Sequence, residues 1–415
     1  MPGHHESGQQ SGQRQLDHHD AVECGRGHHH HRAQTGLNQT QTDDLEPTKH
    51  RGVPGLAHAT PTDCCNRLSW RKPQALTIMP LTNSGTPKAD TCKARSTGWR
   101  KNLSINGPCK TAKAKTAAAT FGGTAYSSAE ELFANEKLDF VDIATTPPTH
   151  KMMVELAAKN GVAAICQKPL AWEMADAKAM VKAMSDKNLP FMVHENFRFQ
   201  TPMRKIKEII DSGAIGRPFF GRICFRTAHD VYSAQSWLVE SERMIIVDVA
   251  VHLFDLARYF IGEPNTIFTS AHRVNPIIKG EDSATILMHM EDATCIVDAS
   301  YETRSDHSTY PQTFVIIEGT KGAITLSADY QLQVVSGASV TNEVIEIPDH
   351  GWTSEPWNGI QDSVVNVNKH WVDCLRNAKT PETSGEDTLK LLDITLGAYE
   401  SIKSGQVFTV GSLLK

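Results

Sequence analysis

No apolar stretch of this 415-residue chain approaches the roughly 20 residues that cross a bilayer, and its polar, His-rich start carries no apolar signal-peptide core. The expectation is a cytoplasmic protein with no membrane partner. Nine cysteines are present without any Cys-x-x-Cys spacing, and several of the later ones lie in apolar strand-like runs, so they read as reduced, buried thiols. The first 120 residues are poor in aromatics, with only Trp70 and Trp99, and rich in histidine. They also hold a basic excess, although the whole chain carries a net charge of −5. Those positive charges are dispersed and almost no aromatics interleave them, so no nucleic-acid partner is expected. His28–His31, with His4, His5, His18 and His19, lack the fixed spacing of a metal site. Up to about residue 110 no sustained 3.6 or 2 periodicity occurs, and residues 1–112 are expected to be an aberrant or disordered segment.

From Lys113 the text changes. "AKAKTAAATFGG" and "SSAEELFANEKL" read as helices, the first closing on glycines and the second opening on a serine cap. "DFVDIATT", "VAAIC" and "PFMVHE" read as strands, separated by helices that begin at Pro147 and near Met174. Strand and helix in alternation imply a parallel sheet, here over residues 113–195, whose ligand edge lies at the C-terminal ends of the strands. After the helix "TPMRKIKEIIDSGAIG", runs such as "PFFGRICFR", "SATILMHME", "TCIVDASYE" and "TFVIIEG" read as a mainly antiparallel sheet. Two amphipathic helices follow, completing a unit over 196–415. The fold class is α/β followed by α+β.

Two features could carry chemistry. "AAICQKPLAW" runs a strand into Lys168, and Pro169 holds that lysine extended, with its amine at the strand end. "MIIVDVAVHLFDLARYFIG" sets Asp248, His252 and Asp255 near one face of a helix. A carboxylate beside an imidazole suits general acid/base work. The same spacing equally fits a satisfied core histidine with Asp255 paired to Arg258.

Read in order, "DFVDIATTPPTH", "QKP", "HENFRF", "GAIG", D-x-x-x-H-x-x-D and "EGTKG" resemble the glucose–fructose oxidoreductase, inositol dehydrogenase and MocA-like (Gfo/Idh/MocA) family over residues 113–410. The resemblance implies a Rossmann-like sheet, then an open-faced sheet domain with helices on one face, and an NAD- or NADP-dependent oxidoreductase acting on the CH–OH group of a sugar. It implies Lys168, Asp248 and His252 as catalytic, with His252 the acid/base held by Asp248. Thr145, Thr146, Pro147, His150, Gln167, Lys168, Asn196 and Arg198 are implied to hold the cofactor, with no metal. Within the family, "HENFRFQTP", "RVNPIIKGEDSAT" and "TSEPWNGIQDSV" are similar to members that oxidise a branched aldopentose to its lactone. A homo-oligomer is expected, because one face of the large sheet would otherwise be apolar and exposed.

Two departures stand out. Gln167 occupies the place where the family usually has glutamate. The opening strand, Gly-x-Gly-x-x-Gly turn, helix and second strand are not found upstream of Lys113, so the parallel sheet is expected to be truncated and cofactor binding impaired. A shifted reading frame, unspliced sequence or wrong gene model over residues 1 to about 110 would explain this. Two other readings remain open: a divalent-metal site of His194, Glu195, Asp248 and His252 for hydrolysis or isomerisation, and a non-catalytic sugar-binding or partner protein.

Overall fold

The computed structural model describes residues 75–78, 101–104, 108–233, 235–304, 312–353, 355 and 357–415, all within one compact unit, residues 69–415. Residues 1–74, with the histidine clusters and most of the expected disorder, lie outside the described residues.

The first sheet is parallel. Its strands are β1 (Ala75–Ile78), β2 (Lys101–Ser104), β3 (Ala125–Tyr126), β4 (Phe140–Ile143), β5 (Ala163–Gln167) and β6 (Phe191–His194), in the order β3-β2-β1-β4-β5-β6. That is the doubly wound order of a dinucleotide-binding sheet, with its crevice where the order reverses, between β1 and β4. The expectation of a sheet without its first strands is therefore corrected: β1 pairs with both β2 and β4, and helix α1 (Pro108–Phe121) starts before Lys113. Strands of four residues are too short to show a period-2 pattern in sequence; backbone pairing on both sides is what defines them.

Helices α2 (Ala129–Asn135), α3 (Pro147–Lys159) and α4 (Met174–Ser185) connect the strands. The Ser128 hydroxyl caps α2 by accepting from the Glu131 N–H. Two prolines open α3, where missing N–H groups cost nothing, and Gly161 leaves it at φ +67°.

After β6 a 3₁₀ turn (Phe197–Phe199) and α5 (Thr201–Asp211) lead into β7 (Pro218–Arg226). A short helix α6 (Trp237–Glu240) follows, then a π-helical turn (Ile246–Ala250) that continues as α7 (Val251–Phe260). Strands β8 (Pro264–His272), β9 (Ser283–Met290), β10 (Thr294–Ser300), β11 (Phe314–Gly319), β12 (Gly322–Leu326), β13 (Gln331–Ser336), β14 (Ser339–Val344) and β15 (Phe408–Thr409) join β7 in a nine-stranded sheet. Its neighbours are antiparallel except β7 and β10. Helices α8 (Asn358–Asn377) and α9 (Gly385–Ser404) complete the chain.

One face of this sheet buries Ile223, Ile286, Val297, Val315 and Ile317 against Leu253, Phe254 and Ile394 of α7 and α9. The other face carries a cross-strand row in register, Phe268, Leu287, Ile296, Arg222 and Ile316, of which Phe268, Leu287 and Ile316 are exposed. Cys166, Cys224, Cys295 and Cys374 are free thiols, all but Cys224 buried. Among the described residues no helix is long and apolar enough to cross a membrane.

Candidate active site

The C-terminal ends of β5 and β6 meet the π turn and the start of α7. Lys168 leaves β5 ahead of a cis peptide to Pro169, and its ammonium reaches the π turn, donating to the Asp248 carbonyl at 2.7 Å and to Asp248 Oδ1 at 3.1 Å. The second Asp248 oxygen, Oδ2, accepts from the Tyr301 hydroxyl at 2.7 Å. Burial alone would raise the Asp248 carboxyl, yet Lys168 and the Tyr301 hydroxyl hold it below its ordinary value. An ammonium has three N–H donors, so Lys168 keeps one beyond these two contacts.

His252 does not pair with Asp248. Its Nδ1 lies 2.5 Å from Glu195 Oε1, and its ring stacks on Phe197 with centroids 3.9 Å apart and planes 3° from parallel. The expected Asp–His pairing presumed 3.6 residues per turn; the wider π turn, ending just before α7, takes Asp248 out of that register, and Lys168 and Tyr301 claim both its oxygens. Glu195 is 1% exposed. Burial pushes its carboxyl up, but His252 and the Phe197 N–H outweigh that and hold it below its ordinary value. Its position directly after "FMVH" was legible; its pairing across 57 residues to His252 was not.

The other candidate residues divide. Thr145 and Thr146 stand where β4 passes into α3, with Thr146 exposed at the cap and Pro147 as the first helical residue. Gln167 ends β5, half-buried, in register with His194. His150 is fully buried, its ring nitrogens against the Leu170 and Thr145 carbonyls at 3.1 and 2.9 Å. It ties the segments that follow β4 and β5 together. Asn196 is buried and donates to the Ser363 hydroxyl of α8 at 2.6 Å. Arg198 forms a two-pronged pair with Asp255 at 2.8 and 2.5 Å, inside a cluster with Glu382 and Asp387. Arg198 is thus engaged in the core, and Asp255 pairs with Arg198 and also, at 3.9 Å, with Arg258 as the helical spacing allowed, while Arg258 further binds Glu263 and Asp387. Among the described residues no three His, Cys, Asp or Glu side chains converge as a metal site. Of the four proposed for one, Glu195 and His252 bind each other and Asp248 is held by Lys168 and Tyr301.

The Rossmann sheet, the edge lysine and the buried acid–imidazole pair define an NAD-binding oxidoreductase. The family model of NAD-binding Rossmann-fold oxidoreductases matches residues 102–195, and that of the GFO/IDH/MocA C-terminal domain matches residues 203–325. The chain belongs to the Gfo/Idh/MocA family of oxidoreductases. A D-apiose dehydrogenase of Rhizobium rhizogenes is 46% identical over 290 residues, 70% of this chain and 84% of that protein. One from Paraburkholderia graminis is 45% identical over 289 residues, 69% of this chain and 77% of that protein. A crystal structure of an oxidoreductase from Agrobacterium radiobacter in complex with NAD+, L-tartaric acid and magnesium superposes with a TM-score of 0.76 at 40% identity, covering 83% of this chain and 100% of that one.

The residues present fit the nicotinamide end of the cofactor, since Thr146, Gln167 and the third donor of Lys168 offer polar groups at the crevice edge. The pyrophosphate end belongs to the turn after β1. Residues 79–100 lie outside the described residues; their sequence holds Gly85 and Gly98 and no Gly-x-Gly-x-x-Gly.

Two stability measurements check these placements. Asp255→Ala leaves the Arg198 guanidinium buried without its two-pronged partner and is expected to lower unfolding free energy in urea by about 3–5 kcal/mol. A cofactor role for Arg198 would leave stability unchanged. His194, buried beside Glu195 and His252, is held neutral, its imidazolium pushed down to about 4 by burial. An unfolded histidine titrates at about 6.5, so the unfolded chain takes up this proton first, and stability is lost as pH falls through that window. His194→Phe should abolish roughly 2 kcal/mol of the stability lost between pH 7 and 5. An unchanged acid profile would show that His194 is solvated.

Proposed function

We propose that the chain is a nicotinamide-dependent aldose dehydrogenase that oxidises the anomeric carbon of D-apiose, or a related aldopentose, to the lactone. The observation that carries this reading is the convergence of Lys168, Asp248 and His252 at the C-terminal ends of β5 and β6, within a family of sugar dehydrogenases. The names of the two curated relatives supply the sugar.

In this reading the sugar hydroxyl lies between the free donor of Lys168 and Nε2 of His252. A bound nicotinamide would supply the hydride acceptor. His252 takes the hydroxyl proton at Nε2, since Nδ1 is occupied by Glu195. Lys168 stabilises negative charge developing on the oxygen, in a site dry enough for one cation to matter. Asp248, with both oxygens committed, fixes the ammonium in place. Tyr301 and Phe225, edge-on at 6.5 Å, wall this side of the site from the second sheet. Gln167 keeps a hydrogen-bonding group toward the cofactor ribose without the family's usual charge. Oligomers formed through the row of Phe268, Leu287 and Ile316 belong to the same proposal, as does weakened dinucleotide affinity from the missing glycine turn.

The assay is nicotinamide reduction at 340 nm with a panel of aldoses and polyols, run with NAD and NADP at millimolar concentration. D-apiose is expected to lead; a clear preference for inositol or for phosphorylated sugars overturns the substrate. Lys168→Ala should lower turnover on the order of a hundredfold, with a far smaller effect on the unfolding midpoint. Unchanged turnover would return Lys168 to a surface role. Calorimetric titration of the whole chain should show no tight dinucleotide binding, whereas micromolar binding at one per chain would place a phosphate site in residues that lack the glycine turn.

A further inference from the structure

The imidazole of His252 is constrained on two sides. Glu195 Oε1 faces Nδ1 at 2.5 Å and also accepts the Phe197 N–H at 3.2 Å, while the Phe197 ring covers one imidazole face. Glu195 itself is 1% exposed and its second oxygen, Oε2, has no hydrogen-bond partner, so among the described residues His252 is its one side-chain hydrogen-bond partner. An ionised carboxylate only accepts hydrogen bonds. The proton of a neutral His252 must then sit on Nδ1, and the lone pair on Nε2.

We propose that Glu195 is the positioning residue of this site, fixing the His252 tautomer so that Nε2 is the proton acceptor and supplying a counter-charge when that nitrogen is protonated. The significance of Nε2 as the base rests on the function proposed above; the tautomer itself does not. The cost of burying Glu195 ionised is offset by His252, by the Phe197 N–H and, more distantly, by Lys168. The charges facing the imidazole are Asp248 and Lys168 on the π-turn side and His194 and Glu195 at the end of β6, with the Arg198–Asp255 pair behind Glu195. Of these, Glu195 alone touches the ring nitrogen. No other carboxylate is placed to do its work, and the sequence hides it, because the pair joins the end of one sheet's strand to a helix of the next domain.

Nitrogen NMR of ¹⁵N-histidine-labelled whole chain reads the tautomer without cofactor or sugar, the His252 signals being those missing in His252→Gln. The expected spectrum has a protonated Nδ1 and a bare Nε2. Glu195→Ala should mix the tautomers and lower turnover about a hundredfold or more, with KM little changed. In Glu195→Gln the amide oxygen can still accept from Nδ1–H, so the tautomer should persist. The charge is gone, however, so the acid limb of the pH–rate profile should move to lower pH. A merely structural Glu195 would lower stability and leave tautomer and acid limb where they were. A wild-type spectrum with the proton on Nε2, or an Ala variant with the tautomer intact, overturns the proposal. If Glu195→Ala fails to fold, the wild-type and Gln spectra still decide. If no sugar is oxidised at all, the function falls and the spectrum still judges Glu195.

Discussion

The contact between Lys168 and Asp248 joins the two sheets of this chain. The ammonium comes from the end of a parallel strand and the carboxylate from a helix packed on the second sheet, and each needs the other in its partly buried place. The π turn makes both ends of the site reachable from one helix. In an α-helix Asp248 and His252 would stack on one face and compete for one partner; with an extra residue in the turn, Asp248 serves the end of β5 and His252 the end of β6. A local deviation from regular helix therefore sets out the acid–base geometry. It is held from behind by the Arg198–Asp255 pair, which ties α7 to the 3₁₀ turn after β6.

Much of this was readable in the residues. The strands from Phe140 onward, the helix starts at Ser128 and Pro147, and the switch to antiparallel strands after Gly216 follow from local pattern and capping. So did Lys168, because an X-Pro step after an apolar strand points a side chain outward at the strand end. What escaped was set by distant partners or by backbone alone. Strands β1 and β2 are only four residues long, and the sheet around them identifies them. The π turn has no side-chain signature. His150, Asn196 and Arg198 sit close to the ligand edge in sequence, yet the carbonyls of Thr145 and Leu170, the hydroxyl of Ser363 and the carboxylate of Asp255 draw them inward. Spacing reveals which residues can share a face, and burial decides which of them face a ligand.

The site also separates its roles cleanly. Asp248 and Glu195, both carboxylates and both shielded from water, have different tasks set by their partners: one fixes an ammonium and the other an imidazole. Gln167 places no negative charge at the same edge, and among the described residues Asp248 is the one ion-pair partner of Lys168. In the proposed reaction this leaves the cation less neutralised than a flanking glutamate would, which suits the oxyanion-stabilising role proposed for Lys168.

The most direct measurement of the central claim is a crystal structure of the chain with D-apiose bound. The account predicts one sugar hydroxyl within hydrogen-bond distance of both Lys168 Nζ and His252 Nε2, with the Lys168–Asp248 and His252–Glu195 contacts intact. A sugar bound elsewhere, or one that reaches Lys168 only by breaking its contact with Asp248, would contradict it.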